Sequence, residues 1–160
     1  MIDFSFTEEQ LMIQKIAREF AQKEIAPRIR DLDRAQTFDR SILKKMAELG
    51  LLGLTIPEEY GGVYCDYITL GLVCEELEYV DTSLRVILSV HIGLNSLTLL
   101  TWGNEEQKKK YLIPQARGEK IATFGLTEPN AGSDAVAIET RAEKKGDYYI
   151  LNGEKMWISL

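Results

Sequence analysis

Cysteine is nearly missing: the 160 residues hold two, Cys65 and Cys74. Their spacing matches no metal motif, and a reducing, intracellular and cytoplasmic setting is expected. A chain of this length buries roughly 68–70% of its unfolded surface and needs no disulfide or metal staple. Basic charge is short as well. Nineteen Lys and Arg face 25 Asp and Glu, for a formal net charge of −6. That balance argues against a nucleic-acid partner and against an anionic membrane surface. An apolar leader is lacking, since MIDFSFTEEQ is acidic, so no secretory signal is expected. Long uninterrupted hydrophobic runs are lacking too. The most apolar window, Leu84 to Leu100, is broken by Arg85, His91 and Asn95 and reads as a buried helix rather than a membrane span. His91 is the single histidine; a packed core residue is the expected role, with a catalytic imidazole as the alternative. There is no internal repeat and no low-complexity segment.

What remains is an ordinary globular composition, 45% hydrophobic and 28% charged. Thr7-Glu8-Glu9-Gln10 fits a capping box, with Phe6 and Leu11 placed as a staple. Ile13, Ile16, Ala17 and Phe20 follow at helical spacing, and Pro27 bends or ends that helix. A second helix starts near Asp39 and stops at Gly50. The stretch Leu51 to Gly62 reads as a turn-rich loop. A third helix covers Tyr67 to Tyr79. A fourth starts at Asp81-Thr82-Ser83 and ends at Gly103; apolar on nearly every face, it belongs in the middle of a bundle. Asn104 to Gln107 caps a charged helix to about Arg117, whose Lys108-Lys109-Lys110 run reads as a solvated face.

After Gly118 the pattern becomes β. Ile121 to Leu126 reads as a strand, alternation returns over Ala137 to Ala142, and Lys144 to Asp147 is a turn. Tyr148 to Leu151 is β-rich, and Asn152-Gly153 signals a hairpin with Glu154 to Ser159 as the return strand. The expectation is an α+β chain: a helical bundle domain over 1–118, then an antiparallel β domain over 119–160 that looks unfinished.

The stretch FGLTEPNAGSDA, Phe124 to Ala135, follows the expected strand. A glycine-containing turn over Pro129 to Gly132 can aim backbone N–H groups at a phosphate, with the Ser133 and Thr127 hydroxyls beside them. The same residues also suit a plain polar turn, with Asp134 capping the backbone and Glu128 solvated.

GLTEPNAGSD (Gly125 to Asp134) resembles a signature of the acyl-CoA dehydrogenase family. LGLLGLTIPEEYGG (Leu49 to Gly62), GNEEQK with YLIP (Gly103 to Pro114) and NGEKMWIS (Asn152 to Ser159) resemble three more of its segments, in the family's order. The resemblance implies an N-terminal helical domain, a middle β domain and a C-terminal helical bundle, the last absent here, usually assembled as a tetramer. It implies FAD as cofactor, an acyl-CoA substrate oxidised to the trans-2-enoyl-CoA, and an electron-transfer flavoprotein as acceptor. A carboxylate takes the α-proton and the β-hydrogen leaves as hydride to flavin N5.

Residue by residue, the resemblance implies that Phe124, Leu126 and Thr127 line the flavin, with the Thr127 hydroxyl at the pyrimidine end of the ring. Gly132 and Ser133 would reach the diphosphate, and Ser133 would also lie near the CoA moiety. Trp157 would lie against the isoalloxazine or, alternatively, pack as a hairpin aromatic. Ser159 would bond N5. Arg85 stands where the glutaryl-CoA dehydrogenase subgroup carries an arginine facing a substrate carboxylate; a structural ion pair is the alternative. No acid matches the family's catalytic glutamate, so no catalytic residue and no metal ligand is assigned in this chain. Three readings follow: part of a dehydrogenase inactive alone, a non-catalytic interaction subunit, or an acyl-CoA oxidase-type homologue. The unfinished sheet and an uncovered bundle face lead us to expect a homo-oligomer.

Overall fold

A computed structural model describes residues 4–159. The chain divides into two compact units, residues 1–122 and 123–160.

The first unit is helical. Helix α1 (Glu8–Phe20) starts at the expected capping box: the Thr7 hydroxyl accepts from Gln10 N, and Gln10 Oε1 accepts from Thr7 N. The box uses up two otherwise unpaired N–H groups of the first turn. The helix runs on as a π turn, Ala21–Ile25, and ends before Pro27, which has no N–H to continue it. Helix α2 (Ile29–Ala35) is not announced by the sequence. It buries no residue fully, and its apolar side is only the half-buried pair Ile29 and Leu32, too short a pattern to announce a helix. Helix α3 (Ser41–Glu48) stops before Gly50, whose φ of +73° closes it.

Helix α4 (Tyr67–Glu78) is capped by Asp66 and packs against α1. Polar cross-links fasten the pair. Gln10 Nε2 donates to Asp66 Oδ2 at 2.8 Å, and Arg18 grips the buried Glu76 with two bonds of 2.9 and 2.6 Å. A two-point guanidinium–carboxylate contact fixes orientation as well as distance.

Helix α5 (Thr82–Ser89) continues through a π turn (Val90–Ser96) into α6 (Leu97–Trp102). Among the described residues this 21-residue stretch is the one helix long and apolar enough to cross a membrane, with a mean hydropathy of 1.4. One side of it enters the core, through Leu84, Leu88 and Ile92. The expected central position therefore holds for one face only, because α6 buries no residue. The last helical run opens at Asn104, a second capping box, and comprises α7 (Glu105–Gln107), a π turn (Lys108–Leu112) and α8 (Ile113–Ala116). Lys108 departs from the expected solvated face. Its ammonium sits 5.5 Å from the Tyr60 ring centre, while the Tyr60 hydroxyl donates to Glu105.

The second unit holds the sheet. Strands β1 (Arg141–Lys145) and β2 (Tyr148–Asn152) pair antiparallel, with Arg141 opposite Asn152 and Lys145 opposite Tyr148. The connection is Gly146-Asp147, with Gly146 at φ +62°. A helical unit followed by an antiparallel pair is the expected α+β order. The strand positions differ from expectation. Asn152-Gly153 makes no hairpin and Glu154 to Ser159 forms no strand. Gly153 answers a different need: a Cβ there would sit 2.2 Å from Thr140 Oγ1, so only glycine lets the chain pass Thr140. Ile121 to Leu126 joins no ladder either. Alternation over Ala137 to Ala142 gives way to a 3-10 turn at Ala135–Ala137, and the strand begins only at Arg141.

Candidate functional site

The second unit gathers the residues singled out around FGLTEPNAGSDA. Glu128 and Ala131 exchange backbone bonds of 3.0 and 3.1 Å, so Pro129 and Asn130 occupy the corners of a tight turn. Both N–H groups of that exchange are spent inside the turn. The Gly132 and Ser133 N–H groups and the Ser133 hydroxyl follow it, exposed and without a partner among the described residues. Asp134 caps Val136 N at 3.3 Å, as a polar turn predicts.

Glu128 is not solvated, contrary to the plain-turn expectation. It is 5% exposed. Its carboxylate accepts from Glu139 N (2.6 Å), Thr140 N (3.1 Å) and Lys155 Nζ (2.8 Å). The Lys155 ammonium above all, then the donors of Thr140 and Glu139, hold its pKa down at about 2. A carboxylate so strongly stabilised as the anion is a poor proton acceptor at neutral pH. With three donors on its oxygens, Glu128 is placed as an anchor between segments.

Two short segments lie alongside each other above this anchor. Met156 N donates to Thr127 O at 2.8 Å, and the Thr123 hydroxyl donates to the Ser159 carbonyl. These bonds bring Thr127 beside the segment that carries Trp157 and Ser159. Phe124 and Leu126 are 39% and 41% exposed, and Trp157 is 86% exposed. Trp157 stands at φ +59°, a left-handed conformation that a bulky residue rarely adopts. It is not packed as a hairpin aromatic. Thr127 is thus set beside Met156, the neighbour of Trp157, while Ser159 lies against Thr123, and Ser133 lies past the turn.

Arg85 and His91 belong to the helical unit. Arg85 Nε donates to Glu78, whose other oxygen accepts from Thr82. His91 is fully buried. Its Nδ1 accepts from Ala122 N at 3.0 Å, so Nε2 carries the proton toward Gln115 O at 3.1 Å. Burial pushes its pKa down. Both ring nitrogens are engaged in the core, which leaves no catalytic imidazole there.

The sequence reading missed Lys155 and the role of Glu128. The available signal was their place inside two of the quoted motifs, but nothing in either motif says that they meet.

Residues 7–119 match the family description "Acyl-CoA dehydrogenase, N-terminal domain", and residues 123–160 match "Acyl-CoA dehydrogenase, middle domain". Over 158 residues the chain is 42% identical to the short-chain specific acyl-CoA dehydrogenase of Clostridium acetobutylicum, covering 99% of this chain and 42% of that protein. An acyl-CoA dehydrogenase from Bacillus anthracis, solved in complex with FAD, superposes with a TM-score of 0.89 at 41% identity, over 99% of this chain and 28% of that one. A glutaryl-coenzyme A dehydrogenase solved with glutaryl-CoA superposes with a TM-score of 0.92 at 41% identity, over 98% of this chain and 40% of that one. The chain spans less than half the length of each. With successive family descriptions covering nearly every residue, the chain belongs to the acyl-CoA dehydrogenase family.

Proposed function

We propose that this chain forms one wall of an FAD site serving the oxidation of an acyl-CoA thioester to its trans-2-enoyl-CoA. The observation that carries the reading is the Met156–Thr127 backbone bond, which sets Thr127 beside the Trp157–Ser159 segment. The residues fit the cofactor by the chemistry of their donors. Exposed N–H groups and a hydroxyl at Gly132-Ser133 suit a diphosphate, and the outward Trp157 ring suits an aromatic face. Phe124 and Leu126 supply apolar surface that excludes water. When bound, FAD supplies the acceptor for the hydride that leaves the substrate β-carbon. The protein's part here is to bind and orient. Glu128, engaged by Lys155 and two backbone N–H groups, serves this wall as an anchor, and the reading assigns the proton acceptor to no residue of it.

The Bacillus anthracis relative solved with FAD supports the cofactor. The Clostridium relative supports a short acyl chain. For Arg85 we favour the structural ion pair, since Glu78 engages it; a substrate carboxylate would have to displace that acid. The reading carries with it an electron-transfer flavoprotein as acceptor and a homo-oligomer.

Titrating FAD into the full chain while following flavin fluorescence tests this reading. Saturable quenching that weakens in S133A and W157A is expected. No binding by the unaltered chain overturns it.

A further inference from the structure

We propose that Glu128 and Lys155 are a positioning pair that holds Thr127 opposite the Trp157–Ser159 segment. The purpose of the pair rests on the flavin-wall reading; its existence rests on the contacts alone. The Lys155 ammonium bridges two points on either side of Thr127: the Leu126 carbonyl at 3.0 Å and Glu128 Oε1 at 2.8 Å. The Lys155 stem runs along Gly125, where an added Cβ would meet its Cγ at 3.5 Å. Glu128 in turn takes the N–H groups of Glu139 and Thr140. One carboxylate and one ammonium therefore tie three separated pieces of chain, at residues 126–128, 139–140 and 155.

Met156, the next residue, makes the bond to Thr127 O. Any movement of Lys155 is transmitted to that bond and then to Trp157. Both charges are withdrawn from water, with side chains 5% and 28% exposed. Breaking such a pair strands the remaining charge, so the two act as a unit. Backbone pairing is sparse here: Met156 N donates to Thr127 O, and residues 123–127 and 156–159 form no strand ladder among the described residues. The side-chain pair supplies the fixity that the missing ladder does not.

Amide hydrogen exchange on the flavin-free full chain reads the pair directly. The Met156 N–H reports the bond to Thr127, and the Leu88 and Ile92 amides in the helical core serve as controls. In K155M and E128Q, Met156 protection should fall about tenfold or more, the loss of one charge-assisted bond, while Leu88 and Ile92 keep theirs. K155R keeps the charge and the donors and should restore most of it; should E128Q fail to fold, the comparison of K155M with K155R carries the test. Unchanged Met156 protection in K155M overturns the proposal, as does an equal loss at Met156 and Leu88. FAD titrated into the same proteins separates the two readings. With binding by the unaltered chain, K155M should bind about tenfold more weakly and K155R should recover; equal affinities overturn the pair's role. If the unaltered chain does not bind FAD, yet K155M loses Met156 protection, the flavin reading fails and the positioning pair stands.

Discussion

Trp157 holds a backbone conformation that costs a side-chain-bearing residue roughly 1–2 kcal/mol, and its ring recovers little through burial, being 86% exposed. Strain without packing suggests selection for what the ring meets. W157G separates the two effects. Its stability should be unchanged or raised by up to about 1 kcal/mol, because glycine accepts the positive φ, while its FAD affinity should fall. Urea melts and flavin titration check the two halves. Glu128 gives a pH prediction. Its folded pKa of about 2 lies below the ordinary carboxylate value of about 4.3. Folding therefore favours the ionised form. The stabilisation is complete above the ordinary value and drains away as pH falls toward 2. Acid titration followed by Met156 exchange should show loosening in that window, and E128Q should lack the transition.

At the scale of elements, what could be read from the sequence was set by locality. Thr7, Asp66 and Asn104 cap their helices through contacts three residues apart, and such signals lie within one turn. Helix α2 escaped because its apolar side is only the half-buried pair Ile29 and Leu32. The hairpin was displaced because Asn152-Gly153 mimics a turn, while its glycine serves a close approach to Thr140. The site divides the same way. Thr127, Ser133 and Trp157 were visible through motif resemblance. The Glu128–Lys155 contact spans 27 residues and leaves no periodic trace. Core positions were legible in part from helical spacing, since Ala17 and Phe20 are buried while Ile16 is 41% exposed, and the core defines a stability prediction. L88A removes a fully buried side chain from the helix that crosses the core. It should cost about 2–5 kcal/mol, measured by the shift of the urea midpoint.

For the molecule as a whole, the balance of covered and uncovered apolar surface matters most. All ten strand residues of β1 and β2 are exposed, including Tyr148, Tyr149, Ile150 and Leu151. Trp102, at the end of α6, is 83% exposed. Open strand edges and apolar side chains of this kind drive association. The chain at high concentration should sediment as a dimer or larger species; a strict monomer would contradict this. Substituting Lys at Leu151 should shift the equilibrium toward monomer without changing the exchange of the helical core.

The histidine that fastens Ala122 has a spectroscopic consequence. With a single histidine in the chain, isotope-labelled imidazole yields one pair of ring-nitrogen resonances and no overlap. One nitrogen bears a lone pair held by Ala122 N–H and the other bears the proton shared with Gln115 O, so the two should appear far apart. Burial has lowered the ring's affinity for protons, so the helical unit loses stability as pH drops below about 6.5. Undocking of residue 122 would free the ring to exchange tautomers and draw the two signals together. A lone core histidine thus becomes an internal gauge of whether the last residue of the helical unit is seated.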